Sequence, residues 1–318
     1  MEVVLKERKS SVLSPSTLKC RNDIPTLNPT AGCAHLCSYC YARGYSNYPG
    51  DGTIVLYTNL AEKLENELSR KRKAPAFVYF SPSCDAFQPV KQVLDTTYSL
   101  MALLLQKGIG VSFLTKGCIP DRFIALFKSH SKLVQAHIGI TTLDRQLQKQ
   151  IEPYAATPGD RLKNIRALTK IGILPEVRLD PLIPGLTDSN GNIEPLLKIL
   201  GRSGIKNVGL NYLFLRPIIN RNLREDLGNT RAMGKISQAF CDNIDLKLLA
   251  SKSRVKALNL DFRQKQYEHI LLLAKEYGIE TYVCGYKNPD IAEDLTCKAI
   301  VWEKYFDKNT LQYQLFAS

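Results

Sequence analysis

The chain has 318 residues, 44% of them apolar, and its 43 Lys and Arg against 30 Asp and Glu give a net charge of +13. That length and apolar content can bury a substantial core and suit one main domain with an appendage. The opening residues lack the apolar centre of a secretion signal and no window nears the roughly 20 apolar residues of a membrane span, so a cytoplasmic protein with no membrane partner is expected.

Residues 1–23 are polar, show no sustained period and read as an N-terminal arm. Short β-rich runs then follow at 77–81, 111–115, 135–141, 174–179 and 207–213. Amphipathic stretches suited to crossover helices lie between them at 60–71, 90–107, 121–130, 160–171 and 193–202. Such alternation builds a parallel sheet by right-handed crossovers, with the active site at the C-terminal ends of the strands. The expected class is α/β, with a barrel domain over 24–215. After it, 216–318 reads as a basic, helix-favouring extension, with helical sequence over 221–256 and 262–277 and a last strand at 280–284.

Nine cysteines without a secretion signal point to a reducing compartment, and three of them gather within eight residues. Cys33, Cys37 and Cys40 form a C-x3-C-x2-C array. Three soft thiolates on one short loop can hold three irons of a cubane cluster and leave the fourth iron open. The alternative is structural zinc, which needs four ligands; His35, inside the array, is the residue to supply the fourth.

C-x3-C-x2-C with an aromatic before the last cysteine resembles the signature of the radical S-adenosylmethionine (SAM) superfamily. The segments Gly32-Cys33, Cys40-Tyr-Ala-Arg43, Asp85-Ala-Phe-Gln-Pro89, Ile140-Thr-Thr-Leu-Asp144, Ile151-Glu-Pro153 and Pro181-Leu-Ile-Pro-Gly185 are similar to its spore photoproduct lyase-like branch. The resemblance implies a partial (β/α)6 TIM-type barrel, a [4Fe-4S] cluster on the three cysteines, and SAM bound at the open iron. It further implies reductive cleavage of SAM to a 5′-deoxyadenosyl radical, with the electron coming from a flavodoxin- or ferredoxin-type donor.

The same resemblance assigns cofactor contacts. Tyr39 lies along the adenine, or else only closes the loop as a buried aromatic. Ser81 and Ser83, ending the second barrel strand, face the SAM amino group, and Lys116, ending the third, pairs with its carboxylate. Thr141, Thr142, Arg178 and Asp180 end the fourth and fifth strands near the ribose and methionine, and Ile183 packs by the adenine. Polar residues are also expected wherever a strand meets solvent. Cys84 is the candidate hydrogen donor to a substrate radical, although alignment on Asp85 puts the branch's cysteine at Pro82 instead. Its other reading is a small buried cysteine.

Cys284 and Cys297 could join an auxiliary cluster if Cys118 or Cys241 came close, whereas Cys20 is incidental. Cations at 70–73 end a helix. Others recur at Arg221, Arg224, Lys247, Lys252, Arg254, Lys256, Arg263 and Lys265, bracketed by Tyr212, Phe214, Phe262 and Tyr267. Cations among stacking aromatics suit a phosphate backbone and an unstacked base, so nucleic acid is the expected partner. The rival readings are radical modification of a peptide or protein, and a non-catalytic iron-sulfur binding or sensing module.

Overall fold

A computed structural model describes residues 1–16, 24–251 and 253–291. The chain opens with β1 (Glu2–Lys6), β2 (Thr26–Leu27), β3 (Thr30–Ala31) and β4 (Thr53–Tyr57). Strands and helices then alternate through α1 (Leu60–Ser69), β5 (Phe77–Phe80), α2 (Lys91–Gln106), β6 (Gly110–Thr115), α3 (Asp121–Ser129), β7 (Val134–Gly139), α4 (Arg145–Ile151), α5 (Pro158–Lys170), β8 (Glu176–Leu182), α6 (Asn190–Arg202) and β9 (Asn207–Tyr212). Beyond lie α7 (Pro217–Leu227), α8 (Arg231–Ala239), β10 (Asn243–Lys247), β11 (Arg254–Leu258), α9 (Leu260–Glu276) and β12 (Glu280–Val283).

Seven strands form one parallel sheet in the order β12-β9-β8-β7-β6-β5-β2. Read from β2, each strand of this sheet is the neighbour of the one before it in the chain, so every crossover steps the same way. Right-handed crossovers with a constant step place their helices on one face and curl the sheet into an open barrel. The expected partial TIM-type barrel is therefore present, and the last expected strand joins it as a seventh, with Glu280 opposite Asn207.

Local chemistry explains the elements. In β5 all four residues are buried, the near-continuous apolar run of a strand covered on both faces. Thr157 caps α5 by accepting from the Asp160 amide, with Pro158 in the first turn, and Asp144 caps α4 by accepting from the Gln146 and Leu147 amides. The main core runs between sheet and helices through Phe80, Phe113, Phe127, Ile138, Leu179 and Leu200.

Three sequence expectations are corrected. Residues 243–247 and 254–256, read as helical, lie in the antiparallel hairpin β10–β11, because Ile244, Leu246, Val255 and Ala257 alternate onto a small core with Phe214. Tyr212, Phe214 and Tyr267, taken as stacking aromatics, are buried, and Arg263 is wholly buried against Asp290. They belong to the core, because apolar surface at strand ends and helix faces is buried first. Residues 2–6, unpatterned in the sequence, pair in parallel with β4, whose β-prone Thr-Ile-Val-Leu-Tyr run was also not read as a strand.

Candidate active site

The cysteine loop leaves β3 and stands at the C-terminal ends of the parallel strands. Its N-terminal part is held by Gln88, whose Oε1 accepts from the Ala34 amide at 2.8 Å while its Nε2 donates to Thr30 Oγ1 at 3.0 Å. Its middle docks on the α4–α5 connection: the Ser38 amide donates to Ile151 O at 3.0 Å and the Tyr154 amide to His35 O at 3.3 Å. The Tyr39 hydroxyl donates to Glu152, which is also paired with Arg161, and both charged side chains are 1% exposed. Arg161 donates further to Gly139 O and Ala156 O, each at 2.9 Å. A buried ion pair persists only when such bonds satisfy its remaining donors.

The Cys33 and Cys37 thiols lie close enough that a charge on either would repel the other, and the same holds for Cys37 and Cys40. Burial pushes all three thiols up, and Lys116 draws Cys37 and Cys40 back down. Buried thiols become thiolates when a metal takes them, because the ion inverts the local charge balance. Among the described residues no three His, Cys, Asp or Glu side chains gather as closely as a single bound ion requires. Three thiolates on one loop suit three irons of a cubane and leave the fourth open, whereas a closed zinc site wants a fourth protein donor. His35, the proposed fourth zinc ligand, turns Nδ1 toward Asp85 at 3.5 Å. Its Nε2 is buried and unpartnered, and burial lowers its pKa, keeping the imidazole neutral at pH 7.

Asp85 organises the floor beside the loop. Its Oδ1 accepts from the Phe87 amide and from Thr115 Oγ1, and its Oδ2 from the Lys116 amide. Lys116 Nζ then donates to Asp180 O at 3.0 Å and lies 5.5 Å from the centre of the Tyr39 ring. Burial alone would raise the Asp180 carboxyl, but Lys287 and Arg178 beside it hold it down to about 2. Asn211 Nδ2 donates to the same carboxylate, and Asn288 donates to Asn211 Oδ1, so β8, β9 and the segment after β12 meet on one polar chain.

Other residues singled out in the sequence fall around this floor. Ser81 is buried at φ 56, a strained conformation for a residue other than glycine, and its hydroxyl faces the Cys84 thiol. The Thr141 hydroxyl is buried and unpartnered, while Thr142 Oγ1 accepts from the Asp144 amide. Ser83 donates to Asn28 Oδ1 from its amide and its hydroxyl, and Cys84 Sγ lies 3.7 Å from the same oxygen. Cys84 is half-buried and faces Cys33. Arg178 lies deeper, bonded to Glu176 and Tyr282 as well as facing Asp180. Ile183 is fully buried, with its amide donating to Thr187 Oγ1. Of the other cysteines, Cys284 is buried and Cys118 and Cys241 are exposed, whereas Cys20 and Cys297 lie outside the described residues.

Sequence reasoning missed Glu152, Arg161, Gln88, Asn28, Asn211 and Lys287. Glu152 lies in a quoted segment, and a charged residue set between isoleucine and proline was the available signal. For the others only the fold brings the partners together.

The radical SAM superfamily profile matches residues 27–197, more than half of the chain. An uncharacterised protein of Mycobacterium tuberculosis is 29% identical over 224 residues, and the match spans 68% of this chain and 65% of that relative. The radical SAM Nalpha-GlyT isomerase of Pseudomonas phage M6 is 27% identical over 250 residues, 76% of this chain and 51% of the phage protein. Among solved structures, a spore photoproduct lyase mutant with bound AdoMet and dinucleoside spore photoproduct aligns at a TM-score of 0.67, covering 88% of this chain and 82% of its own. Its identity of 14% makes that a likeness of fold. Radical SAM enzymes take their electron from an external reductant and use a [4Fe-4S] cluster and SAM, the two groups the donor set and polar floor accommodate. The barrel, the cysteine loop at its mouth and the profile match agree, and the chain belongs to the radical SAM superfamily of enzymes.

Proposed function

We propose that this chain is a radical SAM enzyme acting on a base in a nucleic acid, with its cluster on Cys33, Cys37 and Cys40. The observation that carries the substrate class is the hairpin β10–β11. Its outer face carries Lys247 directly opposite Arg254, and Lys256 opposite Asp245. Like charges directly opposite one another weaken a strand pair, so that face is better suited to an anion than to stability. The hairpin stands beside the barrel mouth: Leu215, which follows β9, exchanges both backbone hydrogen bonds with Lys256, and the Ala250 amide donates to Tyr286 O after β12. The net charge of +13 and the dinucleoside bound by the lyase of like fold support the same class. Lys252 lies outside the described residues.

The bound cluster and SAM supply a reductively generated 5′-deoxyadenosyl radical. The chain's own residues do the rest. The Glu152–Arg161 pair holds Tyr39, whose ring serves as the adenine wall. Lys116 offers its ammonium to the SAM carboxylate, Thr141 presents an unspent hydroxyl to the ribose, and Ser81, beside the Cys84 thiol, faces the amino group. Cys84, beside Cys33, is positioned to give a hydrogen atom to a substrate radical. A base inside a duplex must leave the stack to reach this floor, at a cost of a few kcal/mol that single strands largely avoid.

The test is anaerobic incubation of the reconstituted protein with SAM and dithionite, with single-stranded DNA, lesion-bearing DNA, RNA or no nucleic acid, followed by mass analysis of nucleosides and 5′-deoxyadenosine. We expect 5′-deoxyadenosine in every arm and an altered nucleoside in one. Formation of 5′-deoxyadenosine with no altered nucleoside in any arm would move the substrate to peptide. No 5′-deoxyadenosine at all would leave only a sensing module.

A further inference from the structure

Each part of the cysteine loop has its own support. Gln88 holds the stretch after Cys33, and Glu152 with the Ile151 carbonyl holds the stretch around Cys37. Both supports come from the region matched by the superfamily profile, residues 27–197. Cys40 is followed at once by a 3-10 turn, Tyr41–Gly44, and this turn rests on α7, which lies beyond that region.

Three side-chain contacts, spread along the helix, make that junction. At its N-cap, the Arg216 guanidinium lies 5.9 Å from the centre of the Tyr41 ring. Two residues further on, Ile218 packs on Gly44 so closely that a Cβ there would meet Ile218 Cγ2 at 2.9 Å. Near the C-terminal end, Asp226 receives Arg43 through both carboxylate oxygens, from Nη1 at 2.5 Å and Nη2 at 3.4 Å. The other edge of the Arg43 fork is taken by Asp51, on the same connection as the loop, so one guanidinium joins two carboxylates from different parts of the chain. The Arg43 side chain is only 6% exposed. A planar fork enclosed on both edges fixes direction as well as distance, which a lysine could not do.

We infer that α7 braces the cluster loop at Cys40, with Arg43 and Asp226 as positioning residues that set the third cluster ligand without touching cluster or substrate. The inference rests on the assignment of Cys40 as a ligand. Arg216 also donates to Ser251 Oγ in the hairpin turn, so the helix that braces the loop is joined to the proposed nucleic-acid surface.

The experiment uses the full chain and reads the brace twice. Hydrogen exchange on metal-free protein follows the Tyr45 and Tyr48 amides, which close the turns onto Ala42 O and Tyr45 O. Iron release to a chelator follows the reconstituted protein, with SAM affinity alongside. In Asp226→Ala and Arg43→Gln we expect both exchange at these amides and iron release to quicken by roughly tenfold, the scale of removing one charge-assisted hydrogen bond. Exchange in β6 to β8 should not change. The double variant should add little to either single change, and Asp226→Glu, which keeps the charge, should recover most of the protection. Unchanged exchange in both single variants overturns the brace. Quicker exchange with unaltered iron release overturns its positioning role. A wild type that takes up no iron sinks the ligand assignment and the positioning role with it, while the exchange data still decide whether α7 holds the turn.

Discussion

Lys116 carries its charge to the centre of the floor on a backbone fixed by Asp85, and its ammonium rests on one neutral carbonyl, Asp180 O. Three N–H donors and a single acceptor at hydrogen-bond distance among the described residues leave capacity for a carboxylate. We predict that Lys116→Ala leaves the brown cluster absorbance intact and weakens SAM binding. The loss of about 1.5–3 kcal/mol is roughly ten- to a hundredfold in affinity, measured by equilibrium dialysis. Unchanged affinity would remove Lys116 from the SAM site. Glu152→Gln tests a different dependence. With both partners 1% exposed, removing one charge strands Arg161 in the interior, at about 3–5 kcal/mol. Tm should fall by roughly 4–8 °C, whereas Tyr39→Phe, which deletes one hydroxyl from the same network, should lower it far less. The cysteine array was legible in the sequence because its ligands share one loop and its chemistry is written in spacing. The Glu152–Arg161 support was not, because nothing in a single sequence says that residue 39 will lie against residue 152.

At the scale of elements, the parallel strands were readable because their apolar runs recur between amphipathic helices, and a buried parallel strand has little freedom in composition. The hairpin was obscured by its own function-like features. Cations and polar residues fill its outer face and dilute the alternation of Ile244, Leu246, Val255 and Ala257, so that stretch resembles a solvated helix. Similarly, β1 is five residues long and largely exposed, and it gains its structure from pairing with β4. The hairpin also supports a quantitative prediction. Each phosphate that the protein no longer neutralises reduces the slope of log affinity against log salt by about 0.7 for single strands. A Lys247→Ala, Arg254→Ala, Lys256→Ala variant should therefore bind single-stranded DNA with a slope shallower by roughly 2, read by fluorescence anisotropy across a salt series. The three positions face outward and leave the Phe214 core intact, so the fold should persist. A variant that binds like wild type would take the hairpin out of the nucleic-acid interface. An Arg70→Ala, Lys71→Ala, Arg72→Ala variant at the end of α1 provides the comparison for charge alone.

At the scale of the molecule, buried carboxylates tie the C-terminal segment to the barrel, and they make the whole assembly sensitive to acid. Asp180 on β8 pairs with Lys287 after β12, and Glu176 at the other end of β8 accepts from the Tyr282 hydroxyl on β12 and pairs with His137 and Arg178. Burial would raise both carboxyls. The neighbouring groups, Lys287 and Arg178 for Asp180 and His137 and Arg178 for Glu176, prevail and hold each at about 2. Unfolded, these groups titrate near 4. A carboxyl whose folded pKa is depressed contributes stability that is fully present above the unfolded value and is lost as pH falls through the folded one. The urea midpoint of metal-free protein should therefore be insensitive to these groups above about pH 5 and fall steadily from there toward pH 2. Lys287→Ala removes the first of the charges that hold Asp180 down, so its midpoint should start lower at neutral pH and fall less steeply below pH 5. If the two proteins lost stability in parallel across that window, the Lys287–Asp180 pair would not be the link between the barrel and the segment that follows its last strand.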